Sequence, residues 1–225
     1  MTPNPHPLWP LFDLRIRSER LVLRLPTDDD LVALAAVAQA GVHPSDEMPF
    51  DVPWTALPSP AFEHGFIQYH WSRRASWTPD DWVLELMIEL DGRPIGTQGM
   101  GAREFRVLRT VHTGSWLGQA YQGRGFGKEM RAAMVGFAFE GLGADVAETE
   151  AYVENERSIG VSRAVGYEPN GVGRSAHGDT ARDKVRFRLT RAAWFAQARP
   201  PISIEGLDRC RELFGIDGAP DPPGG

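Results

Sequence analysis

The sequence has one cysteine, no long apolar run and no obvious leader. Cys210 is the only cysteine among 225 residues, so an intramolecular disulfide is excluded and a reducing, cytoplasmic location is expected. No stretch approaches the roughly 18 apolar residues that a membrane helix needs. The N-terminal residues lack the basic and apolar segments typical of a signal peptide. We therefore expect no membrane partner.

Clustered positive charge is also missing. The chain has 24 Lys and Arg against 30 Asp and Glu, for a formal net charge of -6. This balance argues against a nucleic-acid partner, because such proteins usually carry a basic face. It leaves room for a cationic ligand. The 42% hydrophobic content is enough for a core, and the length suits one domain with additions.

Periodicity predicts a mixture of strands and helices. Every second residue from Trp82 to Leu90 is apolar, with Glu85 and Glu89 between them, as in a strand, and Asp91 and Gly92 follow as a hairpin turn. Thr27 with the acids after it is typical of a helix start. Residues 41–58 are irregular and proline-rich, and a loop of this length is usually functional or mobile. The order of elements predicts an α/β protein with a largely antiparallel sheet.

A glycine-rich loop lies between a predicted strand and a predicted helix. It reads Y-Q-G-R-G-F-G over residues 121–127, and backbone N–H groups in such a loop can converge on a phosphate at a helix N-terminus. A Walker A motif fails, because Gln122 and Glu129 stand where Gly and Ser or Thr are needed. A dinucleotide motif fails at Lys128, where it needs glycine. The loop is therefore still predicted to bind a phosphate group, but by neither of these two motifs.

The pattern Q-x-x-G-x-G is present as Gln122, Gly125 and Gly127, and other segments accompany it in a fixed order. They are residues 21–25, residues 114–118, the N-x-x-S segment from Asn155 to Ser158, and the G-Y-E segment at 166–168. Together they resemble the GNAT superfamily, in particular its RimJ/RimL-like branch of N-acyltransferases. The resemblance covers about residues 15–195.

That resemblance implies a fold and a domain plan. The expected fold is the α/β (α+β) GNAT fold, a mostly antiparallel mixed sheet of about seven strands with a V-shaped splay, flanked by helices. We expect an N-terminal arm at 1–14, the GNAT acyltransferase domain at 15–195, a C-terminal helical extension at 196–217 and a disordered tail at 218–225. The family often dimerises, so a homodimer is compatible with the resemblance.

The resemblance also implies a coenzyme A site. The pyrophosphate would lie on the loop formed by Gln122, Gly123, Arg124, Gly125, Phe126 and Gly127. The pantetheine arm would insert beside the strand carrying Trp116, Leu117 and Gly118, and Asn155 would donate a hydrogen bond to it. Asn155 equally suits a helix N-cap. Lys128 either adds charge to the site or is an exposed helix residue.

The resemblance implies catalytic candidates as well. Ser158 would lie beside the sulfur and donate to the leaving thiolate. An amine is mostly protonated at neutral pH and must lose a proton, for which Glu148 is the first candidate base and His112 the second. Each also has a plain structural interpretation, a surface carboxylate and a hydrogen-bonded strand residue. Acids of the 41–58 loop are candidates for binding a cationic acceptor: Asp46, Glu47 and Asp51. No metal is implied, because the histidines are scattered.

The leading interpretation is direct acyl transfer from acyl-CoA to a primary amine. Acetyl-CoA is the default donor, and a longer or charged acyl group such as succinyl stays open. The acceptor is a small-molecule amine or a protein amine. The alternative is a non-catalytic acyl-CoA-binding or sensing module, and an ATP or NAD enzyme is disfavoured by the failed spacings.

Overall fold

The computed structural model describes residues 5–177 and 179–216 and contains one sheet flanked by helices. Its strands are β1 (Arg15–Arg17), β2 (Leu21–Arg24), β3 (Asp81–Leu90), β4 (Arg93–Arg103), β5 (Thr110–Leu117), β6 (Val146–Tyr152), β7 (Glu168–His177), β8 (Thr180–Thr190) and β9 (Ser203–Glu205). Its helices are α1 (Asp28–Gln39), α2 (Ala61–Ala75), α3 (Phe105–Leu108), α4 (Phe126–Gly136), α5 (Glu156–Val165) and α6 (Arg191–Ala196).

The sheet is mixed and mostly antiparallel, as the sequence predicts. Its order is β7-β8-β6-β5-β4-β3-β2-β1-β9, and β5 with β6 is the parallel pair. That pairing joins residues 110–112 to residues 146–148, although β5 continues to Leu117 and β6 to Tyr152. The two strands therefore diverge after His112 and Glu148, which is the predicted V-shaped splay.

Helix α4 fills one face of the sheet. From Met130 onward its residues are buried, and a π-helical turn at Phe137–Gly141 extends the buried segment. Trp82 on β3 contacts the rings of Phe105 and Phe214, and Phe137 also meets Phe214. Burying each such ring contributes about 1.5–3 kcal/mol, so this apolar layer holds α4 against the sheet.

Helices α1 and α2 cover the opposite face. Thr27 and Asp30 form a capping box at the start of α1, which satisfies backbone N–H groups that the helix leaves free. Leu31, Leu34 and Phe66 are buried there with Met87 of β3. The splay thus has α4 and α5 on one face and a second apolar cluster on the other.

The chain ends depart from the prediction. The region expected as a C-terminal helical extension contains β9, which pairs with β1 at the sheet edge, followed by two short 3-10 turns that include buried Cys210. The N-terminal arm is also packed, with Leu11 and Leu14 buried and Asp13 in an ion pair with Arg209. Strands β1 and β9 bring the described sheet to nine strands rather than about seven. The predicted tail lies outside the described residues.

None of the helices in residues 5–177 and 179–216 has the length and apolarity to cross a bilayer.

Candidate functional site

A cavity of about 1120 Å³ lies in the splay and along the start of α4. Its walls come from β5, β6, the glycine loop, the first turn of α5 and the irregular segment between α1 and α2. We call that segment the 41–58 loop after its residues. Lys184 of β8 also lines the cavity, so four chain segments that are distant in sequence meet where β5 and β6 separate.

The glycine loop enters α4 through two residues with left-handed backbone. Gly123 has φ +72° and Gly125, the N-cap of α4, has φ +84°, a region that favours glycine. No side chain caps this helix. The first N–H groups of a helix lack intrahelical acceptors, so those of Phe126, Gly127 and Lys128 are donors for an anion, and the helix dipole adds partial positive charge.

Gln122 holds the loop in place. Its side-chain Nε2 donates to the carbonyl oxygens of Val42 at 2.7 Å and of Leu117 at 2.9 Å. One amide group therefore joins the glycine loop to the end of β5 and to the start of the 41–58 loop. The side chain of Gln122 acts on the position of the loop, and the loop's backbone is what faces a ligand.

The backbone direction of β5 decides which residues can pair with an inserted ligand. The Thr113 carbonyl accepts from Thr149 Oγ1 on β6 at 2.9 Å, and the Leu117 carbonyl accepts from Gln122. Because backbone groups alternate along a strand, Thr113, Ser115 and Leu117 direct theirs into the splay. Trp116 is in register with Thr97 of β4, and the Gly118 N–H donates to Ile95 at 3.0 Å.

Charged and hydroxyl side chains gather on the face of the splay opposite α4. Lys184 of β8 donates to Asp51 at 2.7 Å and to Glu150 at 2.6 Å, and Tyr152 donates to Asp51 at 2.5 Å. Lys184 itself is buried, with a side chain 8% exposed. Asp51 belongs to the 41–58 loop, so these contacts bind that loop to β6 and β8.

Burial and hydrogen bonding set the charges in this group. Burial alone would raise the pKa of the Asp51 carboxyl, but hydrogen bonds from Lys184 and Tyr152 outweigh it and lower the pKa. Burial and the bond to Asp51 raise the pKa of the Tyr152 phenol. Burial opposes the charge on Lys184, but its two carboxylate partners raise its pKa. At neutral pH the group therefore holds the Lys184 ammonium, the Tyr152 phenol and the Asp51 carboxylate.

Aromatic side chains of three elements pack together beside this group. Trp116 of β5 and Trp54 of the 41–58 loop have ring centroids 5.6 Å apart, and Phe66 of α2 lies 6.4 Å from Trp116. Arg182 of β8 donates to the carbonyl of Met48 at 2.7 Å. The 41–58 loop is thus packed against the sheet on both sides of Asp51.

The GNAT acetyltransferase domain model matches residues 20–168, which is more than half of the chain. The chain belongs to the GNAT acetyltransferase family. Solved structures show the same fold at low identity. Mycobacterium smegmatis RimJ, in complex with a coenzyme A disulfide, is 20% identical over 89% of this chain and 94% of its own, with a TM-score of 0.64.

Two further solved structures of similar fold contain ligands. The ribosomal L7/L12 α-N-protein acetyltransferase RimL, in complex with coenzyme A, is 17% identical over 77% of this chain and 95% of its own, with a TM-score of 0.61. The microcin C7 self-immunity acetyltransferase MccE, in complex with acetyl-CoA and AMP, is 14% identical over 76% of this chain and 93% of its own, with a TM-score of 0.55. The predicted RimJ/RimL-like branch is thus represented among the structural neighbours.

In this GNAT chain the predicted donor-site residues come together around the cavity. Those lining it are Trp116, Leu117, Gln122, Gly123, Gly125, Gly127, Asn155 and Ser158. Asn155 caps α5 by accepting from the Ser158 N–H at 3.1 Å. Arg124 is exposed with its guanidinium 5.1 Å from the Phe126 ring, and Phe126 is buried. Gly118 is absent from the lining.

The two candidate bases lie elsewhere. Glu148 accepts from Arg188 at 2.8 Å and 3.0 Å, and His112 Nδ1 is 3.7 Å from the same carboxylate. Both residues belong to the last paired positions of β5 and β6, below the point where the splay opens, and neither lines the cavity.

Sequence reasoning missed three groups that the fold brings to the cavity. Glu150 lies on the same strand face as Glu148 and gave no signal of its own, although it is Glu150 that lines the cavity. Lys184 gave no signal, because an isolated lysine on a predicted strand is ordinary. Arg131 falls within the apolar pattern of α4, and a charged residue at a buried helix position was the available clue.

The cavity suits coenzyme A in its chemistry. The N-terminus of α4, which no side chain caps, offers N–H donors to a pyrophosphate, and Lys128 lies beside it. The strand edge of β5 offers amides to the amide groups of pantetheine. No group of three or more potential metal ligands is found in the described part of the chain.

Proposed function

We propose that the protein is an acyl-CoA-dependent N-acyltransferase that transfers an acyl group directly to a primary amine through a tetrahedral intermediate. The observation that carries the proposal is the glycine loop at the N-terminus of α4, opening onto a strand edge left unpaired by the splay. Acetyl is the default donor group in the family. The acceptor is an amine of a small molecule or of a protein.

The donor would be held by backbone at two places. The pyrophosphate would accept from the N–H groups of Phe126, Gly127 and Lys128, in the manner of anions at helix N-termini. The pantetheine amides would pair with Ser115 and Leu117, whose backbone groups face the splay. An N–H of this strand would also donate to the oxygen on which negative charge develops, usually the largest catalytic contribution in acyl transfer.

Glu150 is the carboxylate that we assign to proton removal from the acceptor. It lines the cavity and its side chain is 44% exposed toward the opening. Asp51 is less suited, because its lowered pKa makes it a weaker base. The amine nitrogen forms the C–N bond, the C–S bond breaks, and Glu150 takes the proton that the nitrogen loses. Ser158 donates a hydrogen bond to the departing thiolate.

A matched pair of variants tests the base. Glu150→Gln should lower kcat by roughly 100-fold or more, the usual loss for a general base, with little change in coenzyme A binding. Glu148→Gln, on the same strand face, should change kcat by less than about threefold, because its carboxylate lies outside the cavity. The measurement is release of free thiol from acetyl-CoA with a panel of amines. A larger loss of kcat in Glu148→Gln than in Glu150→Gln would instead assign proton removal to Glu148.

The same assay separates catalysis from binding alone. Coenzyme A binding without thiol release on any amine would favour a non-catalytic acyl-CoA-binding module. Binding of ATP or NAD but not of coenzyme A would contradict the donor assignment itself.

A further inference from the structure

Arg131 is a buried cation whose partners carry no charge. It is 3% exposed and lies on α4 in the wall of the cavity. Its guanidinium donates to Ser115 Oγ at 2.9 Å, to Ser162 Oγ at 3.3 Å and to Thr149 Oγ1 at 3.4 Å. Its Nε is buried without a hydrogen-bond acceptor. Within residues 5–177 and 179–216, no carboxylate forms an ion pair with it.

The nearby ionisable group is neutral as well. The ionisable group that interacts with the guanidinium is the Tyr167 phenol. Burial raises the pKa of that phenol, so it stays protonated and uncharged at neutral pH. Arginine keeps its charge in proteins even when buried. Burying a guanidinium whose partners are all hydroxyl groups costs free energy, unless an anion pairs with it.

The position of Arg131 identifies where that anion would be. Pairing between β5 and β6 stops at His112 and Glu148, and the guanidinium reaches Ser115 on one strand and Thr149 on the other. It therefore bridges the closed end of the splay on the α4 side. A ligand arm that enters from the glycine loop and runs along β5 ends at this guanidinium.

The chemistry of the donor narrows the choice of anion. The negative charges of coenzyme A are on its phosphates, which the proposed site holds at the N-terminus of α4, and its pantetheine arm is uncharged. The part that reaches the closed end of the splay is the acyl group. A guanidinium there matches a carboxylate, with which it forms paired, charge-assisted hydrogen bonds.

We infer that Arg131 binds the free carboxylate of a dicarboxylic acyl group, so that the preferred donor is a thioester of the malonyl or succinyl type. This inference rests on the proposed function and names its donor. Ser115, Thr149 and Ser162 hold the guanidinium in position. Arg131 is accordingly a specificity-determining residue for the acyl group.

Donor pairs of equal length test the inference. Succinyl-CoA and butyryl-CoA differ at the end of the chain, carboxylate against methyl. The wild-type protein should bind succinyl-CoA at least about tenfold more tightly, as expected for a charge-assisted hydrogen bond, measured by titration calorimetry. Equal affinity for the two thioesters would overturn the inference. Failure to bind coenzyme A or any thioester would instead overturn the proposed function.

Variants at Arg131 assign the preference to this residue. Arg131→Met keeps length and apolar volume, and it should abolish the preference for succinyl-CoA while leaving the Kd of acetyl-CoA within about threefold, since an uncharged acyl group makes no ion pair. Arg131→Lys keeps the charge without the paired geometry and should retain part of the preference. Circular dichroism and thermal melting verify folding, and Arg131→Lys decides the matter if Arg131→Met does not fold.

A second charge provides the control. Lys128→Met removes a cation at the mouth of the cavity and should weaken all coenzyme A thioesters by the same factor. If Arg131→Met also weakened every donor equally, or lowered kcat equally for all of them, Arg131 would serve the fold or the developing oxyanion, and the inference would be wrong.

Discussion

Gly125 offers a direct test of the anion site, because a single substitution can place a negative charge beside the N-terminus of α4. Gly125 has φ +84° and is the N-cap of the helix, and a Cβ added there would lie 3.4 Å from the Arg20 guanidinium, an ordinary contact. Space therefore permits a side chain. Both asparagine and aspartate tolerate left-handed backbone better than other residues.

Gly125→Asp and Gly125→Asn form a matched pair for this test. They share size and backbone strain, of about 1–2 kcal/mol, and differ in charge. A unit charge about 4 Å from another contributes about 1 kcal/mol in water and about 4 kcal/mol at an effective dielectric constant near 20. Gly125 is exposed, so the lower figure applies. Repulsion from a pyrophosphate should make coenzyme A binding to the Asp variant roughly fivefold weaker than to the Asn variant.

Salt and a ligand fragment make the reasoning refutable. Calorimetric titration at low ionic strength should give this roughly fivefold difference, and at about 1 M salt, where the Debye length is about 3 Å, the two affinities should converge. Pantetheine lacks the pyrophosphate and should not distinguish the variants. Equal affinity of both variants for coenzyme A at low salt would show that no phosphate lies at this helix N-terminus.

Three further outcomes follow from other contacts. Gln122→Ala removes the amide that donates to the carbonyls of Val42 and Leu117, and leaving these carbonyls unpaired costs about 1–3 kcal/mol. Hydrogen exchange in residues 42–44 and 118–124 should therefore become faster. Unchanged exchange would refute the role of Gln122. Burial raises the Asp30 pKa, but hydrogen bonds from Arg24 and Thr27 outweigh it and hold that pKa at about 2. The Asp30 carboxylate therefore stabilises the fold above pH 4, and this stabilisation is lost between about pH 4 and 2. In Asp30→Asn the free energy of unfolding should depend less on pH in that range. Burial raises the pKa of Glu85 to about 7 against the opposing hydrogen bond from Tyr69, so its ionisation destabilises the fold as pH rises from about 4.5 to 7; Glu85→Gln should raise Tm at pH 8 and not at pH 4.

Much of the fold was predictable because the signals are local. Alternation in residues 82–90, the acidic helix start after Thr27 and the glycine loop each lie within one segment, and each became the expected element. The N-cap at Asn155 is of the same kind. Edge strand β9 was predicted as helix because Ser203–Glu205 is too short for period-two alternation to register, and its pairing with β1 is a tertiary choice.

The donor half of the candidate site followed from contiguous sequence, whereas in the acceptor half the sequence indicated Asp51 but not its partners Glu150 and Lys184. Asp51, Glu150 and Lys184 are brought together by the path of the 41–58 loop and by the pairing of β6 with β8, which no local pattern encodes. Glu148 and Glu150 share a strand face, so the sequence alone could not tell which one faces the opening. The length over which β5 pairs with β6 decides it, and pairing ends at Glu148.

Hydrogen exchange with and without coenzyme A tests the central claim most directly, because it reports the individual amides that hold the donor. The account predicts that saturating coenzyme A slows exchange in residues 123–128 of the glycine loop and in residues 113–117 of β5. Binding of coenzyme A that leaves both segments unprotected, while protecting another surface, would contradict it.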